Sequence, residues 1–321
     1  MSNFSDILGQ DHIKAYLQRA ISEDKISHAY IFAGEPLAGK KFMANIFANE
    51  LVSEKSAKEI NIKTLVHAKP SNISVDEIRQ QLTDDVHLVP FYGGRKIYIV
   101  PDAELMNETV QNKLLKTLEE PPSYVTIILL TTRMESLLPT LRSRCVAFRF
   151  LPVSNETIRS YLIEKRGVAK LKAEFAVRFA RGNTGRAIYF AEDEKFGDRT
   201  RHILDMIESL GNRGIDDLIK SMENIFGAGY KDSDAREEFF HIMLCLIRDL
   251  YVYTATSDTE SLILRNKSEY ISNVAKNMNF RDISVIYEEM LKAKVRIERN
   301  VNAEYALQLF MLNARDRLAG G

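Results

Sequence analysis

Cysteine is almost absent from this sequence: Cys145 and Cys245 are the two in 321 residues. Two thiols are too few for a disulfide framework or a structural zinc site, so both read as free and reduced. Long apolar runs are missing as well, and none approaches the roughly 20 residues that a membrane span needs. The opening MSNFSDILGQ lacks a basic segment followed by an apolar core, so no secretory signal is read there and a cytoplasmic location is expected. Neither sign of charge is in excess. The 44 Lys and Arg balance 44 Asp and Glu, so net charge does not announce nucleic acid, and any DNA contact would be a local patch. What is present is an ordinary globular composition, 45% hydrophobic and 27% charged, in a chain long enough for two or three domains with proper cores.

The chain is organised around His28 to Lys41, HAYIFAGEPLAGKK. Ala29 to Ala33 suits a buried strand. Gly34-Glu-Pro-Leu-Ala-Gly39-Lys40 has the spacing of a phosphate-binding loop, and the Phe42 to Leu51 stretch behind it reads as a helix. Glycines let successive backbone N–H groups face one concavity at a helix N-terminus, and a lysine adds charge for the outer phosphates. Gly34, Gly39, Lys40 and Lys41 are therefore candidates for an anion site. Lys41, however, stands where the motif needs a Ser or Thr hydroxyl on magnesium, so the phosphate loop is degenerate.

Apolar spacing predicts a helix over Asp11 to Ile21 ahead of that strand. Ser53 to Lys63 is charged and weakly periodic and reads as a surface excursion. Ser74-Val-Asp-Glu77 is a capping-box pattern, and Val89 to Gly94 a turn-rich loop. Further strands are expected at Lys96–Val100, Val125–Leu130 and Cys145–Phe150, with a helix over Asn107–Glu120 halted by Pro121-Pro122. Strands alternating with helices predict an α/β parallel sheet for residues 1–151. Beyond Pro152 helical periodicity takes over, giving a small helical domain over 152–200 and an all-α domain over 201–321. Its helices are expected at His202–Leu210, Ile215–Ile225, Arg236–Tyr253, Arg281–Arg299 and Glu304–Leu318. His28 reads as a packed core histidine.

Three blocks follow the loop in order: Asn112-Lys-Leu-Leu-Lys-Thr-Leu-Glu-Glu-Pro-Pro122, Thr140-Leu-Arg-Ser-Arg-Cys145 and Gly182-Asn-Thr-Gly-Arg186-Ala. Together with Leu8-Gly-Gln10, Ser27-His28-Ala-Tyr30 and Asn300-Val-Asn302 they resemble the AAA+ clamp-loader family of bacterial DNA polymerase III, most closely its delta-prime branch. The resemblance implies a P-loop sheet domain, a small helical lid and a helical collar that holds a hetero-oligomeric ring. It implies as partners a gamma/tau-type ATPase subunit and a delta subunit, and indirectly a sliding clamp and primed DNA. It also makes the chain part of a polymerase holoenzyme, a nucleotidyltransferase complex, without expecting ATPase activity of its own.

The same resemblance assigns roles. Two adjacent acids at the end of the Ile97 to Val100 strand would hold magnesium and orient water, but Pro101-Asp102 occupies that place. Asp102 or Glu104 could restore the acid only by a register shift. Arg144 is implied to be a finger reaching a neighbouring subunit's nucleotide. Arg142 serves as its local control. A guanidinium suits this because it is always charged and presents a planar fork of donors. Such a finger is worth ~10³ to 10⁵ in rate, or about 4 to 7 kcal/mol. Arg186 falls at the family's second-sensor arginine or, with its site decayed, in a structural ion pair, and Thr131 or Thr132 at its first sensor. The four-cysteine zinc module of relatives is impossible in Leu51 to Ile73, which has no cysteine. No magnesium, zinc or other cofactor is required, and ATP, ADP or another anion at the loop is left open. Two other readings stay open, an active motor ATPase and a free-standing nucleotide sensor.

Overall fold

A computed structural model of the chain describes residues 3–52, 55–68, 72–90, 93–210 and 213–318. The chain divides into two compact units, Met1–Ile188 and Tyr189–Gly321. Phe91 and Tyr92 of the turn-rich loop lie outside the described residues, as do parts of the cysteine-free region.

The first unit opens with α1 (Asp11–Ser22), β1 (Ala29–Ala33), α2 (Lys40–Leu51), α3 (Lys55–Asn61) and β2 (Ile62–Thr64). Next come α4 (Val75–Ile78), β3 (Lys96–Val100), α5 (Glu108–Glu119), β4 (Val125–Thr131), α6 (Pro139–Arg142) and β5 (Val146–Arg149). The strands lie in the order β2-β3-β4-β1-β5, all parallel. β1, β3 and β4 are buried along their whole length because alternate side chains enter opposite helical layers. Tyr30, Phe32, Ile97 and Ile99 pack with Ile13 and Leu17 of α1 and Met43 and Phe47 of α2. Ile31, Tyr98, Val100, Ile127 and Leu129 pack with Val110 and Leu114 of α5 and Leu141 of α6. The capping box at Ser74 is present and starts α4.

Two expectations are corrected. Ser53 to Lys63 is not only a surface excursion, since it contains α3 and opens the edge strand β2, paired with β3 through Ile62↔Ile97 and Lys63↔Tyr98. His28 is not a core histidine: its side chain is exposed, and its carbonyl accepts the Ile127 N–H at 2.8 Å.

The lid helices are α7 (Asn155–Glu164), α8 (Lys170–Ala180) and α9 (Thr184–Glu192), and the division between the units falls within α9. Ser154 caps α7, its side chain accepting the Thr157 N–H.

The second unit is helical: α10 (Phe196–Glu208), α11 (Ile215–Phe226), α12 (Ser233–Thr256), α13 (Ser268–Lys276), α14 (Phe280–Glu298) and α15 (Ala303–Leu318). α10 starts six residues before the expected His202, and α13 has no counterpart among the expected helices. Ile242, Met243, Leu246, Ile247 and Leu250 of α12 form the buried stripe. Inside it Arg199 joins Glu238 and Asp193, and the Asp249 carboxylate accepts the N–H groups of Ile263 at 3.0 Å and Leu264 at 2.7 Å. None of the described helices is long and apolar enough to cross a membrane.

Candidate functional site

The phosphate loop begins where β1 runs out. The Gly34 N–H donates to the Thr131 carbonyl at 3.1 Å, which fastens the loop to the end of β4. Gly39 has φ +91°, a conformation that L side chains rarely adopt, and directly precedes the first turn of α2. In the loop, Lys40 Nζ donates to the Gly34 carbonyl and, at 2.7 Å, to the Glu35 carbonyl. Burial holds the Lys40 ammonium below its ordinary range, partly offset by the carboxylates of Glu104, Asp102 and Glu35. Lys41 is exposed, and a cavity of about 470 Å³ opens beside Lys40, Lys41, Pro101 and Thr132.

The residues around that cavity do not fit a magnesium ion. Lys41 supplies a cation where a hydroxyl is needed, and Pro101 supplies no side-chain ligand where a carboxylate is needed. Asp102, at φ +50°, has its carboxylate 3.7 Å from His67 Nε2. Glu104 accepts from the Thr132 N–H at 3.2 Å and from its hydroxyl. Burial alone would raise the Glu104 carboxyl, but the hydrogen bonds from Thr132 and Thr131 outweigh it, so the group is held below its ordinary range. Glu104, two residues beyond Asp102, is thus engaged with Thr132. Thr131 itself is buried, and its hydroxyl accepts the Arg133 N–H at 3.1 Å.

The lid block meets the loop from its other side. Asn183 Oδ1 accepts the Arg186 N–H at 3.1 Å at the start of α9, while its Nδ2 donates to the Pro36 carbonyl at 2.8 Å. One buried side chain therefore caps a helix and grips the loop. The Gly185 N–H donates to the Leu37 carbonyl at 3.1 Å; a Cβ on Gly185 would lie 2.3 Å from that oxygen. Leu37, whose carbonyl makes this contact, has φ +63°. Arg186 Nη1 lies 3.3 Å from Glu35 Oε2, an ion pair between the α9 start and the loop. Gln10 joins the same region by pairing both amide atoms with the backbone of Leu151, at 2.6 and 3.0 Å. A second cavity, about 290 Å³, lies between Gln10, Glu35, Arg149 and Asn183. Sequence patterns gave no role to Gln10 or Glu35, since neither matches a motif by itself.

Arg144 stands apart from this cluster. It follows α6 by a turn in which its N–H donates to the Leu141 carbonyl at 3.2 Å. Its side chain is 37% exposed, with Nη2 2.9 Å from Glu119 Oε1 and Nη1 donating to the Thr140 carbonyl at 2.9 Å. Arg142 is half-buried, and its Nε finds no hydrogen-bond partner. Burial pushes the Cys145 thiol up to about 12, which keeps it protonated at neutral pH. The three block arginines thus lie in different settings, one at the surface, one half-buried and one in the lid ion pair.

Residues 9–154 match the family model described as DNA polymerase III, delta subunit, and residues 228–315 match the model of that subunit's C terminus. This chain belongs to the DNA polymerase III clamp-loader family. Among curated clamp-loader relatives it is 28% identical to the DNA polymerase III subunit tau of Bacillus subtilis, over 82% of this chain and 52% of that protein. It is 32% identical to the gamma/tau subunit of Mycoplasma pneumoniae over 53% of this chain and 27% of that protein. The gamma subunit of Buchnera aphidicola subsp. Baizongia pistaciae is 24% identical over 97% of this chain and 95% of its own length. This clamp-loader chain therefore spans about a quarter to a half of the first two relatives. A gamma subunit-related protein of Thermotoga maritima shares the fold, with TM-score 0.53 and 20% identity over 94% of this chain and 99% of that one.

Proposed function

We propose that this clamp-loader subunit is of the delta-prime type: it does not hydrolyse ATP and lends Arg144 to the nucleotide site of a neighbouring gamma/tau-type ATPase. It works in a ring, with a delta subunit, that opens a sliding clamp and places it on primed DNA. The observation that carries the reading is a contrast between two positions. Lys41 and Pro101 stand where a magnesium site needs a hydroxyl and a carboxylate, whereas Arg144 is held at the surface by Glu119 and the Thr140 carbonyl with further N–H groups to offer. Phosphoryl transfer depends on positioned charge and metal, and Lys41, Pro101 and the engaged Glu104 supply neither metal ligand. An exposed arginine beside a local site without its metal ligands supports a role in another subunit's reaction.

The second reading, an active motor subunit, is favoured by one observation: the relatives above carry the names gamma and tau. ATP turnover by the purified chain with magnesium separates the two. The delta-prime reading expects a rate at background; multiple turnovers by the chain alone would establish the motor reading instead.

A further inference from the structure

The contacts of Arg144 say more than that it is at the surface. Nη2 is set against the Glu119 carboxylate and Nη1 against the Thr140 carbonyl, each at 2.9 Å, and these acceptors belong to different elements. Two anchors on two terminal nitrogens fix the plane of a guanidinium as well as its position. We infer that Glu119 is a positioning residue for Arg144, holding the guanidinium in the orientation in which a phosphate oxygen of the neighbouring subunit meets it. The inference rests on the proposed role of Arg144 and goes beyond it by naming the residue that makes the finger ready.

The platform under Glu119 is rigid. It is the last residue of α5, whose Val110, Leu114 and Leu118 are buried in the sheet's core, and Pro121-Pro122 bars any continuation. The carboxylate thus inherits its position from the core. The pair itself is exposed, 37% on Arg144 and 50% on Glu119, and exposed pairs contribute little to folding. Its effect is on the conformation of one long side chain. An unanchored arginine surrenders its rotamer freedom when it engages a phosphate, whereas an anchored one has surrendered it already. A guanidinium has more N–H groups than two acceptors occupy, so holding it does not exhaust it. Glu120, adjacent and also exposed, is the natural control.

The test is ATP hydrolysis by the clamp loader reassembled with its gamma/tau-type ATPase subunit, measured across ATP concentrations. Glu119→Ala is expected to lower kcat about three- to tenfold, in the lower part of the coupling between contacting residues, with KM for ATP unchanged. Glu119→Gln, which keeps an acceptor oxygen, should restore most of the loss, and Glu120→Ala should match wild type. In the Arg144→Ala background Glu119→Ala should add nothing. A wild-type rate for Glu119→Ala, a faster one, or an equal loss with and without Arg144 would overturn the inference while leaving the finger in place. An unchanged rate for Arg144→Ala would instead overturn the finger, and this inference with it. Unaltered thermal melting of each variant shows that the fold is not the source of the change.

Discussion

Lys96 opens an interior strand, yet its ammonium is almost wholly buried, and Asp85 explains how. The Asp85 carboxylate accepts from Lys63 at 2.7 Å, from Lys96 at 2.8 Å and from the Tyr98 hydroxyl at 2.6 Å. Burial would raise the Asp85 carboxyl, but these three donors outweigh it and bring it down to about 2. Against an ordinary value of 3.8, that difference corresponds to about 2 kcal/mol of stability. The folded value lies below the unfolded one, so the contribution is complete above pH ~4 and lost as the pH falls through ~2. Asp85→Asn should therefore cost about 2 kcal/mol at neutral pH by urea denaturation, and the gap from wild type should close progressively between pH ~4 and ~2. A gap independent of pH would show that packing, not the charge, makes the contribution. Lys40 shows the same physics in a functional place. Its motif position was plain in the sequence, but its commitment to two backbone carbonyls was not, because that depends on how a loop closes and not on which residues it contains.

At the scale of elements, the contact between phosphate loop and lid turns on Asn183. Removing a buried amide that serves two partners leaves the Pro36 carbonyl and the α9 N-terminus short of hydrogen bonds, so Asn183→Ala should destabilise the first unit by about 1 to 3 kcal/mol. Arg186→Ala should cost less than about 1 kcal/mol, because Glu35 is 69% exposed. Equal losses in the two variants, measured by denaturation, would mean that the ion pair and not the amide holds the lid.

The elements that position the site were legible where they are long and apolar. β1, β3 and β4 are buried runs, and the loop glycines mark where β1 stops. β2 was not legible: Ile62-Lys-Thr64 is three residues with two polar side chains, and only its register with β3 makes it a strand. α13 is nine residues with only Ile271, Val274 and Ala275 buried, so its apolar period, although present, spans barely more than one turn and was passed over. Glu35 and Glu119 were beyond local reading altogether, because each meets its arginine across a long separation in sequence.

At the scale of the molecule, the helical second unit matches a clamp-loader C-terminal model and exposes an apolar row that its own packing does not use. Tyr287, Leu291 and Val295 follow one face of α14, and Tyr305 and Leu312 lie on α15; each is between 38% and 59% exposed. In the proposed ring these would be covered by neighbouring collars. Tyr287→Asp with Leu291→Asp should abolish co-purification with the gamma/tau-type subunit while leaving the melting of the isolated chain within about 1 kcal/mol of wild type. Retained assembly would place the contact elsewhere.

The proposed division of labour between a loop without its metal ligands and a surface arginine is tested most directly by one rate. Clamp loader assembled with Arg144→Ala, compared with wild type at saturating ATP, should lose about 10³-fold or more of the hydrolysis at the adjoining ATPase site while still binding nucleotide. An assembled complex that hydrolyses ATP at the wild-type rate without the Arg144 guanidinium would contradict it.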